Sequence, residues 1–252
     1  LSVPSQFYLA HLDLSVGGVI GGTIPGIPTV ITGRTPYIGW GISSSYADDQ
    51  DLHAEEINET DVDIYRSLDG WTKFKTKETI IKIRGEPSKK IKLRWSENGP
   101  ILDKNTSQIF DITPSNHEMA LSWTMLSSKD TSMSSLINLP YSRDITTALK
   151  SLEKHVAPSL NYTIIDRKNI ALQLAGKLPK RNKDHNTQGR LPSFGYFEKN
   201  RWSGYTSYDD NPRFINPKNG LIANTNNKIL EELFPNHISY DWGDSQRIER
   251  LT

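Results

Sequence analysis

The segment Ile38–Glu56 concentrates residue types that can do chemistry. It contains a Trp-Gly pair, then three consecutive serines, then three aspartates within four positions (I-G-W-G-I-S-S-S-Y-A-D-D-Q-D-L-H-A-E-E). Small residues beside a tryptophan let a backbone approach a ligand closely. Neighbouring carboxylates repel one another unless a cation, hydrogen-bond donors or water offset their charge. We therefore interpret this segment as the wall of a site and not as a simple connector.

Three kinds of chemistry are open for these residues and for the asparagines further along the chain. The oxygen-rich aspartates favour Ca²⁺ over Zn²⁺, although a solvated acidic turn is the alternative and the spacing is not that of an EF-hand. The serines offer a hydroxyl nucleophile, but no histidine lies at a suggestive spacing. The side chains of Asn224, Asn226 and Asn227 can donate to a developing oxyanion, or they can cap a turn.

Composition and missing motifs narrow the function classes. The chain has no cysteine, which excludes disulfides, thiolate metal sites and a cysteine nucleophile. Phosphate-cradling glycine motifs, G-x-S-x-G and H-E-x-x-H are all missing from the sequence. The net charge of +1 indicates neither a nucleic-acid binder nor a membrane-surface binder. We predict no membrane span, and we interpret the basic run Lys177–Lys183 (K-L-P-K-R-N-K) as solvated loop charge.

The elements that must position these residues are predicted to be mostly strands. Apolar and charged residues alternate in Thr79–Ile83 and Lys90–Trp95, as in half-buried antiparallel strands. Ser142–Val156 is predicted as a helix, because its apolar residues recur at helical spacing behind a capping-type Ser142 or Asp144.

In the later part of the chain, the sequence predicts a hairpin, an irregular stretch and a short strand. Asn161–Ile165 and Asn169–Leu174 indicate a hairpin, and Gly220–Asn227 a short strand. Residues 176–219, polar and rich in Pro and Gly, are predicted to be an irregular surface region. Strands followed by helices favour an α+β fold. We expect residues 1–252 to form one partial domain, with no separate second domain.

The run Thr23–Glu56 resembles the β chain of penicillin acylases, which are N-terminal nucleophile amidohydrolases. That family has a P-G-x-P stretch, then G-[RH]-N, I-x-W-G and D-x-Q-D. Further matches follow in the family's order over nearly the whole chain: W-S-E-N-G-P-I-L at Trp95–Leu102, L-S-W-T at Leu121–Thr124, N-Y-T-I-I-D at Asn161–Asp166, G-L-I-A-N-T-N-N at Gly220–Asn227, and Trp242 with Arg247 five residues later.

The resemblance implies a fold, a reaction and a set of site residues. The fold would be the αββα sandwich, two antiparallel sheets with helices outside, incomplete because the chain is a fragment. The reaction would be amide hydrolysis through an acyl-enzyme. The oxyanion would be bound by the backbone N–H of Ser44 and the side chain of Asn226, with Arg247 ordering that asparagine. The implied acyl pocket consists of Thr32, Ile42, Trp123 and Leu160.

The family's calcium site is implied at Asp48, the carbonyl of Gln50, Asp51, Gly189 and Asn236. Asn236 stands where a carboxylate is usual, and one further ligand would come from a chain not present in this sequence. No organic cofactor is implied.

The same resemblance implies partners and a missing nucleophile. The attacking residue would be the N-terminal Ser of the β chain, upstream of Leu1, with its own α-amino group as base. We therefore expect this chain to need the remaining α-chain and β-chain segments, and to be inactive alone. Substrates would be small N-acyl amides, such as acylated β-lactams or acyl-homoserine lactones, and the location periplasmic or extracellular. A non-catalytic scaffold or calcium-binding module that kept the fold is the alternative.

Overall fold

The structure is a computed structural model that describes residues 5–15, 17–103, 111–230 and 234–251. The chain divides into two compact units. The first comprises residues 1–47, 127–178 and 206–252, and the second comprises residues 48–126 and 179–205. The expectation of one domain without a separate second one stays a prediction. In the described parts of the chain, no helix combines the length and apolarity that a membrane crossing requires.

The described residues are mostly β-structure with few helices. The strands, numbered along the chain, are β1 (Tyr8–Leu12), β2 (Val19–Thr23), β3 (Thr32–Arg34), β4 (Gly39–Ser44), β5 (Gln50–Glu56), β6 (Ile64–Ser67), β7 (Gly70–Lys73), β8 (Lys75–Ile81), β9 (Lys89–Ser96), β10 (Gly99–Pro100), β11 (His117–Trp123), β12 (Leu160–Ile165), β13 (Ile170–Ala175), β14 (Pro179–Arg181), β15 (Ser193–Phe194), β16 (Trp202–Tyr205) and β17 (Arg213–Ile215). The α-helices are α1 (Ser132–Asn138), α2 (Ile145–Leu152) and α3 (Gln246–Glu249). The αββα sandwich itself stays a prediction.

The first unit is built on one antiparallel sheet with the strand order β1-β2-β3-β4-β12-β13-β17. Glycine allows β2 and β3 to cross closely, because Gly21 pairs with Gly33 and a Cβ at Gly21 would lie 2.0 Å from the Thr32 carbonyl oxygen. The Gly- and Pro-rich stretch around residue 20 therefore forms a strand at a point where no side chain fits.

Helix α2 covers one face of this sheet. Its buried residues Ile145, Ala148, Leu149 and Leu152 follow helical spacing and form one stripe. They belong to the same core as side chains of β4 and β12, which are Trp40, Tyr162 and Ile164. The helix begins later than Ser142, because Asp144 is its N-cap and forms a capping box with Thr147.

The hairpin between β12 and β13 is tied to the start of α2 through Asp166. One carboxylate oxygen accepts the backbone N–H groups of Lys168 and Asn169 at 2.8 and 2.7 Å, and the other accepts that of Ile145 at 3.0 Å. Partial burial alone would raise the pKa of Asp166, but these bonds favour the carboxylate and hold its pKa below the usual value. The turn therefore positions both the helix and the strand pair.

The second unit consists of smaller sheets around β5. The first joins β11, β5 and β15 in that order, with β15 parallel to β5. A second joins β10, β9 and β8, while β6 with β7 and β14 with β16 form two-stranded ribbons. A small apolar cluster contains Ile57, Tyr65 and Phe74, and the rings of Tyr65 and Phe74 stack 4.5 Å apart.

A fully buried carboxyl group, Glu55, lies inside the second unit. One of its oxygens accepts from the Ser96 hydroxyl at 2.6 Å and from the Asn98 amide at 2.8 Å. The other has no hydrogen-bond partner among the described residues. Burial raises the pKa of Glu55 above its ordinary value, although the two hydrogen bonds act in the opposite direction.

One expectation from the sequence is wrong, one stays a prediction, and one lies partly outside the described residues. The irregular surface region at residues 176–219 stays a prediction; this stretch contains the short strands β14 to β17 and buried polar side chains such as Asn200, whose amide donates to a backbone carbonyl. Gly220–Asn227 forms no strand, since its asparagines bond to local backbone N–H groups. The sequence also predicts a short helix at Ile229–Phe234, but residues 231–233 of that range lie outside the described residues.

Replacing Asp144 with Ala should lower the free energy of unfolding by about 1 kcal/mol, because the cap of α2 is lost. The Asp144 carboxylate accepts the Thr147 N–H at 2.8 Å. Urea denaturation measures the change, and Asp184→Ala, at an exposed aspartate, is the matched control. Equal stability of the two variants would contradict the assigned cap.

Replacing Glu55 with Gln should flatten the pH dependence of stability. The folded pKa lies above the ordinary 4.5, so the folded state holds its proton longer than the unfolded state as pH rises. Wild-type stability should therefore decrease from pH 4.5 upward until the raised pKa is passed. Gln cannot ionise and should not show that decrease in urea denaturation. Glu59→Gln, at an exposed glutamate, should retain it, and parallel curves for all three proteins would refute the assignment.

Candidate functional site

Ser44 and Asn226, far apart in the sequence, meet in the first unit. Ser44 is the last residue of β4. Only the first two residues of this strand, Gly39 and Trp40, pair with β3. The backbone edge of Ser44 on that side is therefore open to another group. The Asn226 side-chain amide donates to the Ser44 carbonyl oxygen at 2.9 Å. The pair predicted to bind an oxyanion is thus brought into direct contact.

Arg247, in α3, fixes the orientation of the Asn226 amide. Its guanidinium donates to the Asn226 side-chain oxygen at 2.8 Å and also to the carbonyl of Thr225. A guanidinium has only donors, so the amide oxygen must face Arg247 and the NH₂ group must face Ser44. The three predicted oxyanion residues therefore form one hydrogen-bonded series.

The backbone around Asn226 needs Asn224 and also Gly243, a residue that the sequence analysis did not single out. Asn226 has φ +68, and its N–H donates to the side-chain oxygen of Asn224 at 3.2 Å. Gly243 donates its N–H to the Asn226 carbonyl at 2.9 Å, and a Cβ at Gly243 would lie only 2.6 Å from that oxygen. Asn226 has a left-handed backbone conformation, and it contacts a glycine from a later part of the chain. No local sequence pattern signals such a contact.

The three consecutive serines take different positions. Ser45 is buried and its hydroxyl donates to the Ser159 carbonyl at 2.8 Å, so it is structural. The Ser43 hydroxyl donates to the Asn224 side-chain oxygen at 2.5 Å. Ser44 contributes its carbonyl to the contact with Asn226, and its side chain is exposed.

A polar pair lies on one face of the sheet beside these residues. Asn161 in β12 is directly opposite Ser43 in β4, so their side chains share a face. Asn161 is 1% exposed, and neither atom of its amide has a hydrogen-bond partner among the described residues. Buried amides without partners are costly, which sets Asn161 apart from the polar residues that support the fold.

The residues of the predicted acyl pocket are only partly brought together. Ile42 and Leu160 share a face of the sheet, because they pair with Tyr162 and Ser44, and both pack against the core of the first unit. Thr32 precedes Gly33, which pairs with Trp40, so side-chain alternation places Thr32 on the opposite face. Trp123 ends β11 in the second unit. The common pocket stays a prediction.

A cavity of about 220 Å³ lies in the first unit next to this segment. Its walls include Asn227 and Ile248, the neighbours of Asn226 and Arg247, together with apolar residues of β13 and β17. None of the four residues predicted for the acyl pocket lines it.

Four of the five residues predicted to bind calcium cluster in the second unit, around an arginine. Arg181, at the end of β14, donates to both carboxylate oxygens of Asp51 at 2.8 to 3.2 Å. It also donates to the carbonyls of Asp48 at 3.1 Å and Gln50 at 3.5 Å. A Cβ at Gly189 would lie 2.6 Å from Asp51 Oδ1, so that glycine closes the group.

The fifth, Asn236, belongs to the first unit, where its amide donates to the Asp210 carbonyl at 3.5 Å. Calcium binding stays a prediction, but the arrangement at Asp51 does not fit a divalent ion, because both carboxylate oxygens accept from a cationic side chain. Among the described residues, no group of three or more His, Cys, Asp or Glu is placed to hold a metal.

The interpretation of Lys177–Lys183 as solvated loop charge is wrong for Arg181. The side chain of Arg181 is 5% exposed and that of its partner Asp51 is 2% exposed. The lysines at 180 and 183 are exposed, as expected. A basic run does not reveal which of its members finds a buried carboxylate, because that depends on a partner 130 positions away.

Curated relatives of this chain are acylases of bacteria. It is 23% identical to the acyl-homoserine lactone acylase QuiP of Pseudomonas aeruginosa, over 100% of this chain and 30% of the relative. It is 26% identical to the protein of the same name in Pseudomonas putida, over 96% of this chain and 28% of that protein. Penicillin G acylase of Escherichia coli is 22% identical, over 98% and 28%. The chain thus spans about 30% of the length of the curated relatives it matches.

A solved structure supports the same fold. The thermostable penicillin G acylase of Alcaligenes faecalis superposes with a TM-score of 0.83 and 22% sequence identity, covering 96% of this chain and 42% of that chain. The family model described as penicillin amidase matches residues 1–252. With this match over its whole length, and with Ser44, Asn226 and Arg247 joined as described, the chain belongs to the penicillin amidase family.

Proposed function

We propose that this chain is the part of a larger N-acyl amide hydrolase that binds the oxyanion of the reaction. The observation that carries the proposal is the series of hydrogen bonds from Arg247 to Asn226 and from Asn226 to Ser44. The reaction is acyl transfer to a serine nucleophile supplied from outside this chain, followed by hydrolysis of the acyl-enzyme.

Two N–H groups are suited to the developing negative charge. In an extended strand, the N–H and C=O of one residue point to the same edge, so the N–H of Ser44 points to the side where its carbonyl meets Asn226. The Asn226 NH₂ group has two hydrogens, and the bond to Ser44 uses one. The other donates to the substrate oxygen as the tetrahedral intermediate forms.

Arg247 acts on the reaction through Asn226. A charged donor on the amide oxygen polarises the amide and strengthens its N–H as a donor. It also prevents rotation of the amide, so the donor is oriented before the substrate arrives. This preorganisation is the source of the rate gain, because no reorientation is needed while charge develops.

For the substrate, we propose an N-acyl amine whose acyl chain packs near Ile42 and Leu160. The names of the relatives include acyl-homoserine lactone acylase and penicillin G acylase, which supports an N-acyl amide as the substrate. Calcium forms no part of the proposed mechanism, since Arg181 bonds to Asp51 where the ion would be expected.

Replacing Asn226 with Ala in the full-length protein should lower kcat about 10²- to 10³-fold, because one oxyanion donor is lost. KM should change much less, since the donor acts mainly in the transition state. Hydrolysis of an N-acyl homoserine lactone and of a phenylacetyl amide, followed by released amine, measures both parameters.

Two control variants make this test specific. Ser44→Ala retains the backbone N–H and should leave turnover almost unchanged, so a large loss would return the hydroxyl to the mechanism. Asn219→Ala, at an exposed asparagine in the same segment, should be neutral. Asn226→Ala with wild-type turnover would overturn the oxyanion assignment. A folded full-length protein that cleaves neither substrate would favour the non-catalytic scaffold.

A further inference from the structure

Arg181 is surrounded by oxygen atoms of the aspartate segment (residues 48–51). Its Nε and Nη2 contact both oxygens of the Asp51 carboxylate, and Nη2 also reaches the carbonyl oxygens of Asp48 and Gln50. One carboxylate and two backbone carbonyls converge on one positive group. Carboxylate and carbonyl oxygens are the kinds of donor that calcium takes, but here an arginine side chain occupies the space between them.

A single ribbon supplies the partners of the Asp51 carboxylate. Arg181 ends β14 and is paired in register with Trp202 at the start of β16. The Trp202 indole N–H donates to Asp51 Oδ2 at 2.5 Å, so that oxygen accepts from two donors. Because donors come from both strands of the ribbon, the position of Asp51 is set by the β14–β16 pairing.

The charges balance within this buried group. The side chains of Arg181 and Asp51 are 5% and 2% exposed, so neither is solvated enough to be stable alone. The guanidinium forms a bidentate contact, which is the geometry in which a buried ion pair offsets its desolvation. A divalent cation would add charge to a pair that is already neutral.

Space and repulsion oppose a divalent ion at this position. Calcium takes six to eight oxygen ligands at 2.3–2.6 Å. A calcium ion on Asp51 would face the guanidinium at close range in a poorly solvated site. Gly189 offers no room, because a Cβ there would already lie 2.6 Å from Arg181 Nε and from Asp51 Oδ1.

We propose that Arg181 is a built-in cation that takes the place of a divalent metal ion and holds the aspartate segment without calcium. The guanidinium is part of the chain and, unlike a bound metal ion, cannot be removed by a chelator. A lysine would not replace it, since an ammonium group lacks the planar fork that reaches the carboxylate and the two carbonyls together. The inference concerns the second unit alone and does not depend on the proposed reaction.

The first test is calcium dependence of the wild-type, full-length protein. Thermal unfolding with excess EDTA and with millimolar CaCl₂ should give the same Tm, and isothermal titration with Ca²⁺ alone should show no saturable binding. A Tm that falls in EDTA and is restored by CaCl₂, together with saturable Ca²⁺ binding that disappears in Asp51→Asn, would overturn the proposal.

The second test removes the cation itself. Arg181→Ala leaves the buried Asp51 carboxylate without its charge partner and should lower Tm by at least about 6 °C. Arg181→Lys should lie between this variant and wild type. Arg84→Ala, at an exposed arginine of the same unit, is the matched control and should leave Tm unchanged. If Arg181→Ala and Arg84→Ala have the same Tm, the guanidinium does not stabilise the aspartate segment and the proposal fails.

Discussion

The pairing of β4 with β12 is the constraint on which the candidate site depends. It sets Ser43 opposite Asn161 and Ser44 opposite Leu160, and so decides which side chains of the serine run face the core. Because β3 covers only the first part of β4, the last residue of β4 has an open edge. The Asn226 amide takes that edge.

The other residues of the site are connected to this strand pair by hydrogen bonds. A guanidinium orients an amide, the amide meets a strand-end carbonyl, and Gly243 makes room for the backbone that carries the amide. The two donors proposed for the oxyanion are an amide and a backbone N–H group, which do not change protonation near neutral pH. Preorganised dipoles are the means by which such a site would stabilise charge.

The second unit contains two buried carboxyl groups that differ in their hydrogen-bond donors. Asp51 and Glu55 both lie in β5 and are both buried. Asp51 has a guanidinium and an indole N–H as partners, whereas Glu55 has only neutral donors and a raised pKa. They differ because the ribbon of β14 and β16, which carries the guanidinium, faces Asp51. The groups that face Glu55 are the neutral side chains of Ser96 and Asn98.

The sequence by itself determined the family, the predominance of strands and the position of α2, because these depend on ordered motifs and on local periodicity. The helical spacing behind Asp144 and the hairpin around Asp166 are local signals, and both are present in the structure. Only the tertiary structure decided that Gly220–Asn227 is not a strand, that Asn161 is buried without partners, and that Arg181 bonds to Asp51. The contacts of Arg181 with Asp51 and of Asn226 with Ser44 join residues more than 100 positions apart, and no local pattern encodes such partners.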